Sequence, residues 1–212
     1  MGREFIDLFD EWSSSYDETV SGNDQEYKEV FHKYDEILET VVQRSGSVVL
    51  EFGVGTGNLS EKLLKSGKQV IGIEPSKGMR EKASDRHPDL TLHDGDFLSF
   101  PKLDQEIDTI VSTYAFHHLT DEEKDLAIGQ YSQLLKKNGK IVFADTAYLH
   151  EDDKKERHEK VRSQGFLNLL KDLQTEYYTT LGVLEDLFKK HDFEVSFKKL
   201  NEYVWLMEAV KK

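Results

Sequence analysis

Cysteine is absent from the 212 residues, which excludes a disulfide, a thiolate nucleophile and any zinc site built on sulfur. Only 3 prolines occur, and no Pro/Gly-rich or low-complexity tract marks a linker, so no internal domain boundary is read. No stretch approaches the roughly 20 apolar residues of a membrane helix. Met1 to Asp10 mixes acidic with apolar residues and lacks the apolar run of a signal peptide. Positive charge is also in deficit: 28 Lys and Arg face 41 Asp and Glu, a net charge of -13. The mean field repels polyanions, so neither nucleic acid nor a membrane is the expected partner. A soluble, cytoplasmic protein is expected. At this length, with 37% hydrophobic residues, one domain with a substantial core is expected over 1–212.

Short β-branched runs alternate with segments of helical period, the pattern of a parallel sheet covered by helices on both faces. Strands are expected at Ser47–Phe52, Gln69–Glu74, Leu90–Asp94, Thr109–Thr113 and Lys140–Asp145. Crossover helices are expected at Asn58–Lys65, Lys77–Asp85 and Glu122–Leu135, the last with Leu126, Tyr131, Leu134 and Leu135 on its apolar side. Residues 1–45 read as a helical cap, with one stripe of Phe5, Leu8, Phe9 and Trp12 and another of Phe31, Tyr34, Ile37, Leu38 and Val41. Residues 46–145 are expected to form the α/β core, and 146–180 a helical insertion. A final helix carrying Leu184, Leu187 and Phe188 and two last strands, with a turn near Asn201, fill 181–212.

The most informative segment is Val48-Val49-Leu50-Glu51-Phe52-Gly53-Val54-Gly55-Thr56-Gly57, a buried strand running into three alternating glycines and then a helix. Glycine admits positive φ and a close ligand approach, and in a doubly wound sheet such a turn lies at the strand edge where cofactors bind. The pattern is E-x-G-x-G-x-G, not the G-x-G-x-x-G that spaces its last glycine for a dinucleotide pyrophosphate. Gly53, Gly55 and Gly57 suit an amino-acid moiety passing over the backbone; the alternative is that they merely bend the turn. Seventeen residues beyond Gly57, the second strand ends at Glu74, placed to accept both hydroxyls of a ribose. After the third strand comes Asp94-Gly95-Asp96-Phe97. Asp96 is a candidate acceptor for an adenine amino group, with Phe97 offering a flat contact and a backbone N–H, or else the segment is an Asx turn.

With these motifs the chain resembles class I S-adenosylmethionine-dependent methyltransferases. It looks most like the YrrT group, through Trp12 to Asp17, Glu51 to Gly57, Ile73-Glu74-Pro75-Ser76, Asp94 to Phe97 and Tyr114-Ala115-Phe116-His117-His118-Leu119. The resemblance implies a Rossmann-like, doubly wound seven-stranded sheet whose final strand is antiparallel, and S-adenosylmethionine as cofactor with S-adenosylhomocysteine as product. It places the glycine loop around the methionine portion, Glu74 on the ribose and Asp96 near adenine. Tyr16 is expected to line the pocket from the cap. A nicotinamide oxidoreductase shares the fold but calls for the other glycine spacing; a non-catalytic protein that binds the same cofactor is the further alternative.

Methyl transfer from a sulfonium is an in-line displacement whose main need is alignment. A base is needed only if a small-molecule acceptor must lose a proton. His117 is the candidate general base, His118 being next to it. Adjacent residues point different ways, so one of the pair is expected to face the substrate. The alternative is that both pack or cap the helix starting at Thr120-Asp121-Glu122-Glu123. No H-E-x-x-H pattern occurs and neighbouring histidines are poorly placed to share an ion, so no metal is expected. Asp145, Tyr177 and Tyr178 are secondary pocket candidates, and the charged 151–164 run reads as a solvated helix face or a lid.

Overall fold

A computed structural model describes Asp10, Val20, Gly22 and residues 24–212. The expected pocket residue Tyr16 and the stripe of Phe5, Leu8, Phe9 and Trp12 lie outside the described residues. From residue 24 the order is α1 (Tyr34–Arg44), β1 (Val48–Phe52), α2 (Asn58–Lys65), β2 (Gln69–Ile73), α3 (Lys77–Arg86), β3 (Thr91–His93) and β4 (Thr109–Thr113). A 3₁₀ turn (Phe116–His118) leads into α4 (Asp121–Leu134) and β5 (Lys140–Thr146). Then follow α5 (Glu151–Ser163), α6 (Leu167–Thr175), α7 (Leu181–Lys190), β6 (Phe193–Lys199) and β7 (Val204–Lys211).

The seven strands form one sheet in the order β3-β2-β1-β4-β5-β7-β6. β1 to β5 pair in parallel, and β7 runs antiparallel to both β5 and β6. Six strands therefore share one direction and the last opposes them, as the resemblance implies. Chain order reverses between β1 and β4, and this switch point opens a crevice beyond the carboxyl ends of the strands.

Alternate residues of the central strands supply two separate cores, as the pleat requires. Val49, Val111 and Val142 face one core with Ile37, Leu38 and Val41 of α1, Leu59 and Leu63 of α2, and Leu169 and Leu173 of α6. Leu50, Ile110 and Phe143 face the other with Ile128 and Tyr131 of α4 and Leu184 and Phe188 of α7. The insertion between β5 and α7 is helical as expected, and the β6–β7 turn is built on Asn201, whose Oδ1 accepts the N–H groups of Tyr203 and Val204 at 2.8 and 2.7 Å.

Two expectations are corrected. Residues 25–33 form turns and a bend, so Phe31 precedes α1 instead of lying on it. On α4, Leu126 is 60% exposed while Lys124 is buried. The lysine is stable there because its ammonium donates to the Leu119 and Tyr177 carbonyls at 2.6 and 2.7 Å and reaches Asp121 at 3.2 Å. A periodicity count cannot foresee a buried cation satisfied by one carbonyl just ahead of its helix and another 53 residues away.

Candidate active site

The glycine loop leaves β1 at the switch point. All three glycines have positive φ: 68° at Gly53, 57° at Gly55 and 89° at Gly57. A Cβ at Gly53 would come within 2.7 Å of the Ala115 Cβ, and one at Gly57 within 2.9 Å of the His87 ring. These two glycines are thus fixed by the packing of the chain itself. Gly55 differs, because among the described residues a Cβ there would meet nothing within 4 Å. Its open side is where a ligand can approach the backbone.

Glu74 follows β2 and is 4% exposed. Its Oε2 accepts the Gly55 N–H at 2.8 Å and its Oε1 the Ser76 N–H at 2.9 Å. Burial raises its pKa to about 7 against the pull of those two N–H groups. The carboxylate therefore ties the glycine loop to the end of β2, a link the sequence does not disclose. Ser76 caps α3 by accepting the Met79 N–H. Asp10 accepts from the Ser76 hydroxyl and from the Gly78 N–H, so a residue of the N-terminal segment meets the chain two residues beyond Glu74.

Asp96 forms the Asx turn that was the alternative reading: its Oδ1 accepts the N–H groups of Leu98 and Ser99 at 2.9 and 2.8 Å. The turn and an adenine contact are compatible, since a carboxylate has two oxygens. The flat contact expected of Phe97 is corrected. Its ring stacks on Phe52 at 5.3 Å and packs against Phe116, which commits it to the core and leaves only its backbone for a ligand. On β4, the buried Ser112 hydroxyl has no hydrogen-bond partner among the described residues, and it lies 3.9 Å from a Cβ built on Gly53. An orphaned hydroxyl beside the loop, an open glycine and a carboxylate at the next strand end together fit the amino-acid and ribose portions of S-adenosylmethionine.

The other half of the crevice is built where β4 ends. Tyr114 has φ 54°, a conformation side chains avoid, and Phe31 and Tyr34 pack against its ring at 5.1 and 5.5 Å. This turn throws the chain into the 3₁₀ segment. There the adjacent histidines do not point apart: their ring centroids are 4.1 Å apart, and both Nε2 atoms face Glu176, at 3.4 Å from His117 and 3.8 Å from His118. The rings are drawn together by their partners: Asp145 holds His117 at Nδ1 and at its backbone N–H, the Ala115 carbonyl holds His118, and Glu176 faces both.

Asp145, at the end of β5, holds His117 twice, at Nδ1 (2.6 Å) and at the backbone N–H (3.0 Å). His118 Nδ1 donates to the Ala115 carbonyl at 3.0 Å. From the α6–α7 link, Tyr178 stacks on His117 at 4.6 Å and donates its hydroxyl to Glu176. Tyr178 therefore closes this end, whereas Tyr177 is 38% exposed. Burial opposes charge on His117, but Asp145 and Glu176 outweigh it and raise the imidazolium to about 10. Burial, with the His117 charge beside it, lowers His118 to about 4. Both carboxylates thus favour the protonated form of His117. Glu176, 58 residues beyond His118, was missed, and no spacing could have found it.

Comparison with known proteins agrees with this layout. The family described as "Methyltransferase domain" matches residues 49–139. A curated "Uncharacterized methyltransferase" of Geobacillus sp. (strain WCH70) is 60% identical over 212 residues, covering both chains completely, and one of Anoxybacillus flavithermus is 56% identical over 211 residues with the same coverage. Among solved structures, the magnesium protoporphyrin IX methyltransferase of Synechocystis PCC 6803 with bound SAH superposes with a TM-score of 0.75 at 17% identity, over 100% of both chains. A possible histamine N-methyltransferase of Thermotoga maritima gives 0.72 at 18% identity, over 98% of this chain and 100% of that one. End-to-end identity above one half with curated methyltransferases, on this sheet order, shows that the chain belongs to the class I S-adenosylmethionine-dependent methyltransferases.

Proposed function

We propose that this chain holds S-adenosylmethionine across the ends of β1 and β2 and the loop after β3, and transfers its methyl group to a small-molecule acceptor seated at the ends of β4 and β5. The observation that carries the reading is the buried Glu74 carboxylate gripping the N–H of Gly55, the glycine whose other side is open. The cofactor supplies an electrophilic methyl group on a sulfonium. The protein's part is to hold the acceptor close and aligned. Glu74 accepts the ribose hydroxyls, Gly53 and Gly57 shape the loop so that Gly55 lies open to the methionine portion, and Asp96 with the Phe97 backbone meets adenine. His117, held between Asp145 and Glu176, orients the acceptor end as a charged imidazolium, and serves as a base only where the acceptor site draws off its Nε2 proton. The net charge of -13 favours a small acceptor over nucleic acid, and the absence of cysteine fits work in the reducing cytoplasm.

Calorimetry tests the cofactor half. S-adenosylhomocysteine should bind with micromolar affinity and NAD should not. Glu74→Ala should weaken binding by about 1–3 kcal/mol, the range for hydrogen bonds left unmet. An unchanged dissociation constant in that variant removes Glu74 from the site, and binding of NAD in place of S-adenosylhomocysteine ends the reading.

A further inference from the structure

Two imidazoles and a carboxylate converge at the acceptor end in a way that neither packing nor a proton relay requires. One ring nitrogen each of His117 and His118 and one Glu176 oxygen all lie within 4.8 Å of one another. His117 Nε2 lies 3.4 Å from Glu176 Oε2 and His118 Nε2 3.8 Å from Oε1, separations close to the edge of about 3.4 Å between ligands of a tetrahedral ion with bonds of about 2.1 Å. We propose that His117, His118 and Glu176 bind one divalent transition-metal ion, of the zinc or iron type, with a coordination position left for a heteroatom of the acceptor.

The surroundings favour ligation. A metal-binding histidine characteristically donates its second ring N–H to a carboxylate or a backbone carbonyl, which fixes the tautomer and aims the lone pair. Both histidines do so: His117 Nδ1 to Asp145 and His118 Nδ1 to the Ala115 carbonyl, leaving both Nε2 atoms for the ion. The third ligand is fixed as well, since Glu176 accepts the Tyr178 hydroxyl. Asp145 is itself anchored by the Thr146 N–H at 2.7 Å. A divalent ion balances the charges of Asp145 and Glu176, and it competes with the proton between His117 and Glu176 for one place. Two imidazoles select a transition metal over magnesium or calcium, which take oxygen ligands. Three protein ligands leave the set open, as in catalytic zinc sites. The ligand side chains are 9%, 10% and 12% exposed, which leaves a path for entry.

Binding of the ion does not depend on the methyl-transfer reading; only its use toward an acceptor does. The test is titration of chelator-treated full-length protein with Co²⁺, followed by visible absorption, and with Zn²⁺ by calorimetry. One ion per chain is expected, with tetrahedral-type Co²⁺ bands. Glu176→Gln preserves the shape of the side chain and its contact with Tyr178, and should weaken binding about 100-fold or more, as should His118→Ala. His191→Ala, which removes a histidine paired with Asp125 on α4, should leave the titration unchanged. Absence of stoichiometric uptake by the wild type, or a Glu176→Gln titration that superimposes on it, overturns the site; circular dichroism establishes that each variant is folded. S-adenosylhomocysteine affinity measured on the same samples separates the two ideas. Cofactor binding without metal uptake overturns the metal site alone, and metal uptake without cofactor binding overturns the methyl-transfer reading alone.

Discussion

Glu51 shows how burial decides the chemistry of a single residue. It lies on β1, 1% exposed, and accepts the Ser60 hydroxyl at 2.5 Å. Burial raises its pKa to about 8, the Ser60 bond opposes this, and the nearby Glu74 charge adds to it. The folded state therefore keeps a proton that the unfolded chain releases near the ordinary carboxylate value, so stability falls as pH rises between the two. Glutamine cannot ionise. Glu51→Gln should gain in melting temperature relative to wild type as pH is raised from about 5 to about 8, and the gap should level off above that. Thermal melts across this range check it, and a pH-independent gap would show that Glu51 does not titrate. From sequence, Glu51 was visible only as the first letter of a motif. Glu74 was legible because a strand end seventeen residues past a glycine loop has one place to be. Glu176 was not, because it reaches the site through the third dimension alone.

Among the elements, α4 carries its start signal locally. The Thr120 hydroxyl accepts the Glu123 N–H at 3.2 Å and the Glu123 carboxylate accepts the Thr120 N–H at 3.1 Å, a reciprocal capping box. Thr120→Ala should cost about 1 kcal/mol, read as a lower urea midpoint with an unchanged slope; an unmoved midpoint would mean that Glu123 or water replaces the cap. The 3₁₀ turn before it was the least legible element. Its form follows from the left-handed Tyr114, which Phe31 and Tyr34 hold in place from the segment leading into α1. The histidines were expected to cap α4 or to face a substrate singly. Thr120 does the capping, and both histidines meet Glu176.

Across the whole molecule the sheet sets a gradient of protection. β1, β4 and β5 are paired on both edges and lie between two cores, whereas β3 is a three-residue edge strand with no buried residue. Hydrogen exchange should be slowest for the amides of β1, β4 and β5 and faster by orders of magnitude in β3. Equal rates in β3 and β4 would contradict the gradient. The order of elements from β1 to β7, with Asn58–Lys65 and Thr109–Thr113 placed to the residue, could be read from sequence because each buried strand and amphipathic helix carries its own period. So could the positions of the glycine loop and Glu74, which depend on neighbours a few residues or one βα unit away. Tertiary structure alone decided that Lys124 is buried, that the Phe97 ring belongs to the core, and that His117, His118, Asp145 and Glu176 form one cluster. Those outcomes depend on loops from β4, β5 and the α6–α7 link meeting at one sheet edge, and spacing along the chain carries no record of that meeting.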